Sequence, residues 1–124
     1  MIEQILDKKE DIRLIINKLK NISFKELIKH PHYEYSLLEK NTDEKSIEET
    51  YPKFDLIKLI KKRVRPNNKV SYDFYYELNE ETFVIIVLSF QTSPPTIINC
   101  FHAKRNFKKF KENLLKYYKK FSQD

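Results

Sequence analysis

The stretch VSYDFYYEL, residues 70–78, decides how the chain is read. Val70, Tyr72, Phe74, Tyr76 and Leu78 alternate with Ser71, Asp73, Tyr75 and Glu77. A period of two belongs to a β-strand, and this division predicts one face in a core and the other in water. Outward in both directions the strand pattern continues. LIKLIKKRV, 56–64, is β-branched and basic, and the turn RPNNK joins it to the first stretch. TFVIIVLSF, 82–90, follows the turn NEE and is apolar on both faces, as suits a central strand covered above and below. The loop QTSPP, whose prolines cannot donate to a sheet ladder, leads into TIINCFHAK, 96–104. Connections this short favour antiparallel neighbours. The expected fold is therefore α+β: a four-stranded antiparallel meander over 55–104, with N-terminal helices packed on it and a basic amphipathic helix after it.

Upstream, Ile2, Ile5, Leu6, Ile12, Ile15, Ile16 and Leu19 recur at helical spacing and predict one helix over 2–20, ended by Asn21. Ser23 can cap a short helix through Lys29, and Pro31 restarts the chain into a helix near 32–40. Asn41 with Glu44 makes a capping box for a further helix closed at Pro52, so 1–52 reads as helical. Downstream, Phe107, Phe110, Leu114, Tyr117 and Phe121 form one stripe. Lys108, Lys109, Lys111, Lys116, Lys119 and Lys120 take most of the rest, giving a basic helix over 105–121 that docks by its aromatics. At 124 residues, 1–124 is expected to be one domain, since roughly 65–70% of the unfolded surface can be buried at this size.

Composition narrows the chemistry. The chain has no glycine, and phosphate-cradling loops of the Walker or dinucleotide type need backbone positions that only glycine fits. His-Glu-x-x-His, acidic calcium loops and paired Cys-x-x-Cys are missing, so no cofactor and no metal are expected. His30 and His32 flank Pro31 at a spacing poor for a shared metal, and capping or surface placement is the expectation. The single cysteine, Cys100, lies in an apolar strand and reads as core. MIEQILDKKE mixes acids and bases where a secretory leader has a positive region and then an apolar one, and no stretch is long enough to span a bilayer. A cytoplasmic protein without a membrane partner is expected.

The net charge is +6, and its distribution locates the partner. Residues 1–100 hold 16 Lys and Arg against 16 Asp and Glu, whereas 101–124 hold 8 against 2, so the whole excess lies at the C-terminal end. Such a pole steers polyanions, through interactions that weaken steeply with salt. A solvated helix face balanced by an acidic partner protein is the competing explanation.

Three constellations could use that charge. In IINCFHAKRN, 97–106, strand alternation puts His102 and Lys104 on one face, with Arg105 at the exit. An imidazole beside two cations suits RNA cleavage, moving a proton at a ribose oxygen while the cations stabilise the charge growing on the phosphate. An ordinary exposed strand end is the alternative. In LIKLIKKRVRP, Lys61, Arg63 and Arg65 share a face and could extend a phosphate track, or could simply guard a sheet edge against aggregation. Tyr75, on the polar face with Asp73 and Glu77, could stack an unpaired base, and Lys108 and Lys109 add cations at the start of the last helix.

The order of HPHYEYSLLEKNTDEKSIEETY, IKLIKKR, SYDFYYEL, TFVIIVLSF and TIINCFHAKRNFKKF resembles the RelE/ParE-like toxin superfamily, in its BrnT/MqsR-style branch. His32, Lys40 and Ile47 would hold the places of that branch's helical histidine, basic residue and following apolar position, with lysine where an arginine is common. The likeness covers about 24–110. It implies a metal-independent endoribonuclease acting on mRNA, often ribosome-bound, as the toxin of a toxin-antitoxin pair whose acidic antitoxin covers the basic face. Carried over, His102 would donate or accept the proton, Lys104 and Arg105 would stabilise the phosphate, Lys61 and Arg63 would position it, and Tyr75 would stack a base. The alternatives are a non-catalytic nucleic-acid-binding domain and a protein adaptor using the basic C-terminal helix.

Overall fold

The computed structural model describes residues 2–121. The side chains of Lys120 and Phe121, expected at the end of the basic helix, lie outside the described part. In chain order the elements are β1 (Ile2–Leu6), α1 (Lys9–Ile16), β2 (Ile28–Lys29), α2 (Pro31–Glu39), α3 (Glu44–Thr50), β3 (Ile57–Val64), β4 (Val70–Glu77), β5 (Phe83–Ser89), β6 (Thr96–Ala103) and α4 (Phe107–Phe121), with short 3-10 turns at Phe24–Glu26 and Phe54–Leu56. The sheet has six strands in the order β1-β3-β4-β5-β6-β2.

This corrects the expected four-stranded antiparallel meander. Strands β3 to β6 are consecutive antiparallel neighbours, but β1 adds an antiparallel strand outside β3, and β2 pairs parallel with β6. The sheet is therefore mixed. The helix predicted over 2–20 divides: Ile2, Ile5 and Leu6 belong to β1, and only Lys9–Ile16 are helical, with Leu19 closing a following turn into the core. The cause is tertiary, because the outer side of β3 is a row of backbone donors and acceptors that β1 satisfies. Lysines on β3 do not guard an edge, since β3 has a neighbour on each side.

The region expected to be helical through 52 thus contains two strands. Ser23, expected to cap a short helix through Lys29, forms a capping box with Glu26, but it heads only a 3-10 turn before β2. Helix α3 is capped by Asp43 in place of Asn41. Asn41 instead takes a left-handed conformation (φ 50°) after α2, and Asn68 does the same (φ 63°) in the β3–β4 turn. In a chain without glycine, asparagine is the residue that accepts those positions at least cost.

The sheet buries both faces. On the inner face Ile60, Tyr72, Phe74, Tyr76, Val84, Ile86, Leu88 and Cys100 pack with Ile12, Ile16, Leu19, Tyr33, Ile47 and Tyr51 from the helical layer. Buried tyrosines satisfy their hydroxyls here: Tyr76 donates to the Tyr51 carbonyl at 2.8 Å and Tyr51 to the Ile22 carbonyl at 3.0 Å. On the outer face Leu59, Tyr75 and Phe83 pack with Phe107, with Phe110 and Leu114 beside them. Helix α4 crosses from the end of β6 to β1, where the Tyr118 hydroxyl donates to Glu3. The outer face of β4 is therefore not wet as its alternation suggested, because Ser71, Asp73 and Tyr75 are all buried. Among the described residues no helix is long and apolar enough to cross a membrane.

Candidate functional site

Strand register sorts the outer face into cross-strand rows. Leu59, Tyr75, Ile85 and Phe101 form one row, and three of them lie in or against the aromatic cluster beneath α4. The next two rows are polar but for Val87: Lys61, Asp73, Val87 and Asn99, then Arg63, Ser71, Ser89 and Thr96. Over them opens a hollow of about 640 Å³. Arg65 and Lys69 from the β3–β4 turn stand on one side of it, and His30 and His32 from the start of α2 on the other.

The histidines arrive there through β2. Its parallel pairing places Ile28 beside Thr96, and the His30 amide donates to the Ile97 carbonyl at 3.0 Å. His30 then caps α2, its Nδ1 accepting the His32 amide at 3.0 Å, while Pro31 fills the first helical turn where no amide is missed. Helix α2 runs along β6. Ser36 donates to Asn99 Oδ1 at 2.7 Å, and Lys40 Nζ donates to Asn99 Oδ1 and to the Cys100 carbonyl, both at 3.2 Å. Lys40 also sits 3.4 Å from the centre of the Phe101 ring, which lines the hollow. Burial pulls the Lys40 ammonium below its ordinary pKa.

One acid lies among the residues around the hollow. Asp73 is 2% exposed, and its Oδ2 accepts Arg63 Nη2 at 2.7 Å and Arg63 Nε at 3.1 Å. Burial acts against both charges of this pair. At the nearly sealed carboxyl burial prevails and raises the pKa, with Arg63 and Lys61 offsetting only part of it. At the more open guanidinium the attraction of Asp73 prevails over burial and holds the charge more firmly. Among the described residues, Asp73 Oδ1 and Ser71 Oγ are buried without a hydrogen-bond partner.

The residues expected to act together are divided. His102 lies opposite Val84, whose side chain is in the inner core, whereas Lys61 and Arg63 lie opposite Asp73 and Ser71 on the outer face. Residues directly opposite across a ladder share a face, so His102 projects from the other side of the sheet. His102, Lys104 and Arg105 are exposed, and Arg105 lies 5.6 Å from the Phe110 ring centre. Lys61 is paired with Glu3 at 3.4 Å. Tyr75 is not an open stacking surface: it is 3% exposed and stacks on Phe110 at 5.8 Å, because α4 covers it. Lys108 and Lys109 are exposed at the start of α4, where Asn106 Oδ1 accepts the Lys109 amide at 2.9 Å. Of the predicted residues, Arg63 and Arg65 line the hollow. His32 and Lys40 converge near the same place, while Ile47 is fully buried in the core. Sequence reasoning passed over Ser71, Asp73, Ser89, Thr96, Asn99 and Phe101 as a group, since only the register assembles them.

No protein-family model, curated protein or solved structure matches the chain.

Proposed function

We propose that the protein binds single-stranded RNA without a cofactor, taking the strand across the open half of the outer face. The observation that carries this reading is the grouping of Arg63, Arg65 and Lys69 in one hollow with the Phe101 ring, where the single acid is already engaged by Arg63. Cations position a phosphate backbone, and an accessible ring offers a surface for an unpaired base. Helix α4 packs on the same face, with Lys108 and Lys109 exposed at its start, where Lys108 stands beside Glu77 and Glu80. The test is titration of a labelled single-stranded RNA with the protein and with Arg65→Ala and Lys69→Ala, both exposed positions. Each variant should bind several-fold more weakly, and the slope of log affinity against log salt should become shallower by about 0.7 for each phosphate that is no longer neutralised. Salt-insensitive binding, or no binding, would overturn the proposal.

A second reading, a toxin-like mRNA endoribonuclease covered by an acidic antitoxin, is favoured by one observation. His30 and His32 stand at the hollow that Arg63, Arg65 and Lys69 line, so an imidazole and cations do meet, though not at His102. Cleavage of RNA leaving a 2′,3′-cyclic phosphate, lost in His32→Ala and kept in His102→Ala, would select it over simple binding.

A further inference from the structure

The floor of the hollow is more finely differentiated than a phosphate needs. Its inner row includes Asp73 and its outer row runs Arg63, Ser71, Ser89, Thr96, so a carboxylate, a guanidinium and three hydroxyls line one surface. Thr96 is already engaged, 2.6 Å from Thr92 Oγ1. Asp73 and Ser71 are not fully engaged. Oδ2 of Asp73 accepts two hydrogen bonds from Arg63, while Oδ1 accepts none and Ser71 Oγ has no partner among the described residues. Both side chains are more than nine-tenths buried. A carboxylate oxygen held in an ion pair can only accept, so the complementary group is a hydrogen-bond donor, and two donors fixed side by side match a carboxylate best.

From this we infer that the hollow selects guanine, an inference that rests on the RNA-binding reading and adds a base preference to it. Guanine places two N–H donors, N1 and N2, side by side on one edge, and a carboxylate accepts that pair as it accepts the fork of an arginine. Uracil offers one donor between two acceptors, and the amino groups of adenine and cytosine each adjoin an acceptor nitrogen. Oδ1 is itself covered from water. Ser71 Oγ is covered likewise, so engagement of the two atoms entails a shift of the side chains around them, and Arg63, about a third exposed and bound to the same carboxylate, is drawn outward by the strand's phosphate. The base stacks on Phe101, and Ser71 Oγ is left to donate to guanine O6.

Short oligouridines carrying one central guanosine, inosine, adenosine or uridine test this on the unaltered protein. Guanosine should bind most tightly, with inosine, which lacks the N2 amino group, weaker by roughly tenfold. Asp73→Asn, checked for folding by its thermal transition, should lose the guanosine preference and keep the salt-dependent affinity. Equal affinity for all four oligomers, or a guanosine preference surviving in a folded Asp73→Asn, overturns the base assignment while leaving RNA binding intact. No affinity for any oligomer overturns both.

Discussion

Tyr75 and Asp73 are two positions apart on one face of β4, and their fates diverge because α4 covers the first and not the second. Tyr75 is a packing residue, enclosed by Phe83, Phe107 and Phe110. Tyr75→Ala should lower unfolding free energy by about 3–5 kcal/mol, as for other large aromatic truncations, with RNA affinity of the folded fraction unchanged. Urea unfolding and titration on one sample check both halves. Asp73 makes a prediction of opposite kind. Its carboxyl is raised by burial, so the folded chain holds a proton that the unfolded chain releases as pH climbs from the ordinary carboxylate value. The Asp73 contribution to stability therefore falls as pH rises through that window. Glu3, lowered chiefly by the Tyr118 hydrogen bond, runs the other way: its stabilisation is present above the unfolded value and fades as pH drops through the folded one. Urea midpoints of Asp73→Asn from pH 4 to 7 should consequently rise more, or fall less, with pH than those of the parent protein.

At the level of elements, β3 to β6 were legible because each carries its own signal over seven or eight residues, alternation in β4 and β-branched or continuously apolar character in the others. β1 was not. Ile2, Ile5 and Leu6 satisfy a helical spacing as well as they satisfy five residues of strand, and what decides between them is the side of β3, some sixty positions away. β2, with two residues, has no periodicity to read, and its pairing is what brings His30 to the hollow. The candidate site was hidden for the same reason: Ser71, Ser89 and Thr96 become neighbours only once three strands are in register. Helix α4 was the clearest element, its Phe107, Phe110 and Leu114 all packed on the sheet. Its exposed lysines should be separable from its packing. Lys108→Glu with Lys109→Glu should shift stability by less than about 1 kcal/mol, since surface substitutions seldom exceed half of that each, while weakening RNA binding several-fold at low salt. A thermal scan beside a titration checks it.

For the whole molecule, α4 does not project away from the sheet, because Phe107, Phe110 and Leu114 fold it back onto the face that holds the hollow. The outer side of the sheet then carries Arg63, Arg65 and Lys69 together with the cleft, a distribution that favours fast, salt-steered encounter with a polyanion. Association rates should fall steeply between 50 and 200 mM salt while dissociation rates change less, which stopped-flow mixing reads directly.

The two border strands are held by partners far along the chain: Ile2 by Val64, and Ile28 by Thr96. During synthesis at about 5–20 residues per second, each emerges from the ribosome roughly 3–14 s before its partner does. Each border segment is thus left without its ladder for that interval, and until then its isoleucines are open to whatever nascent-chain chaperone meets them.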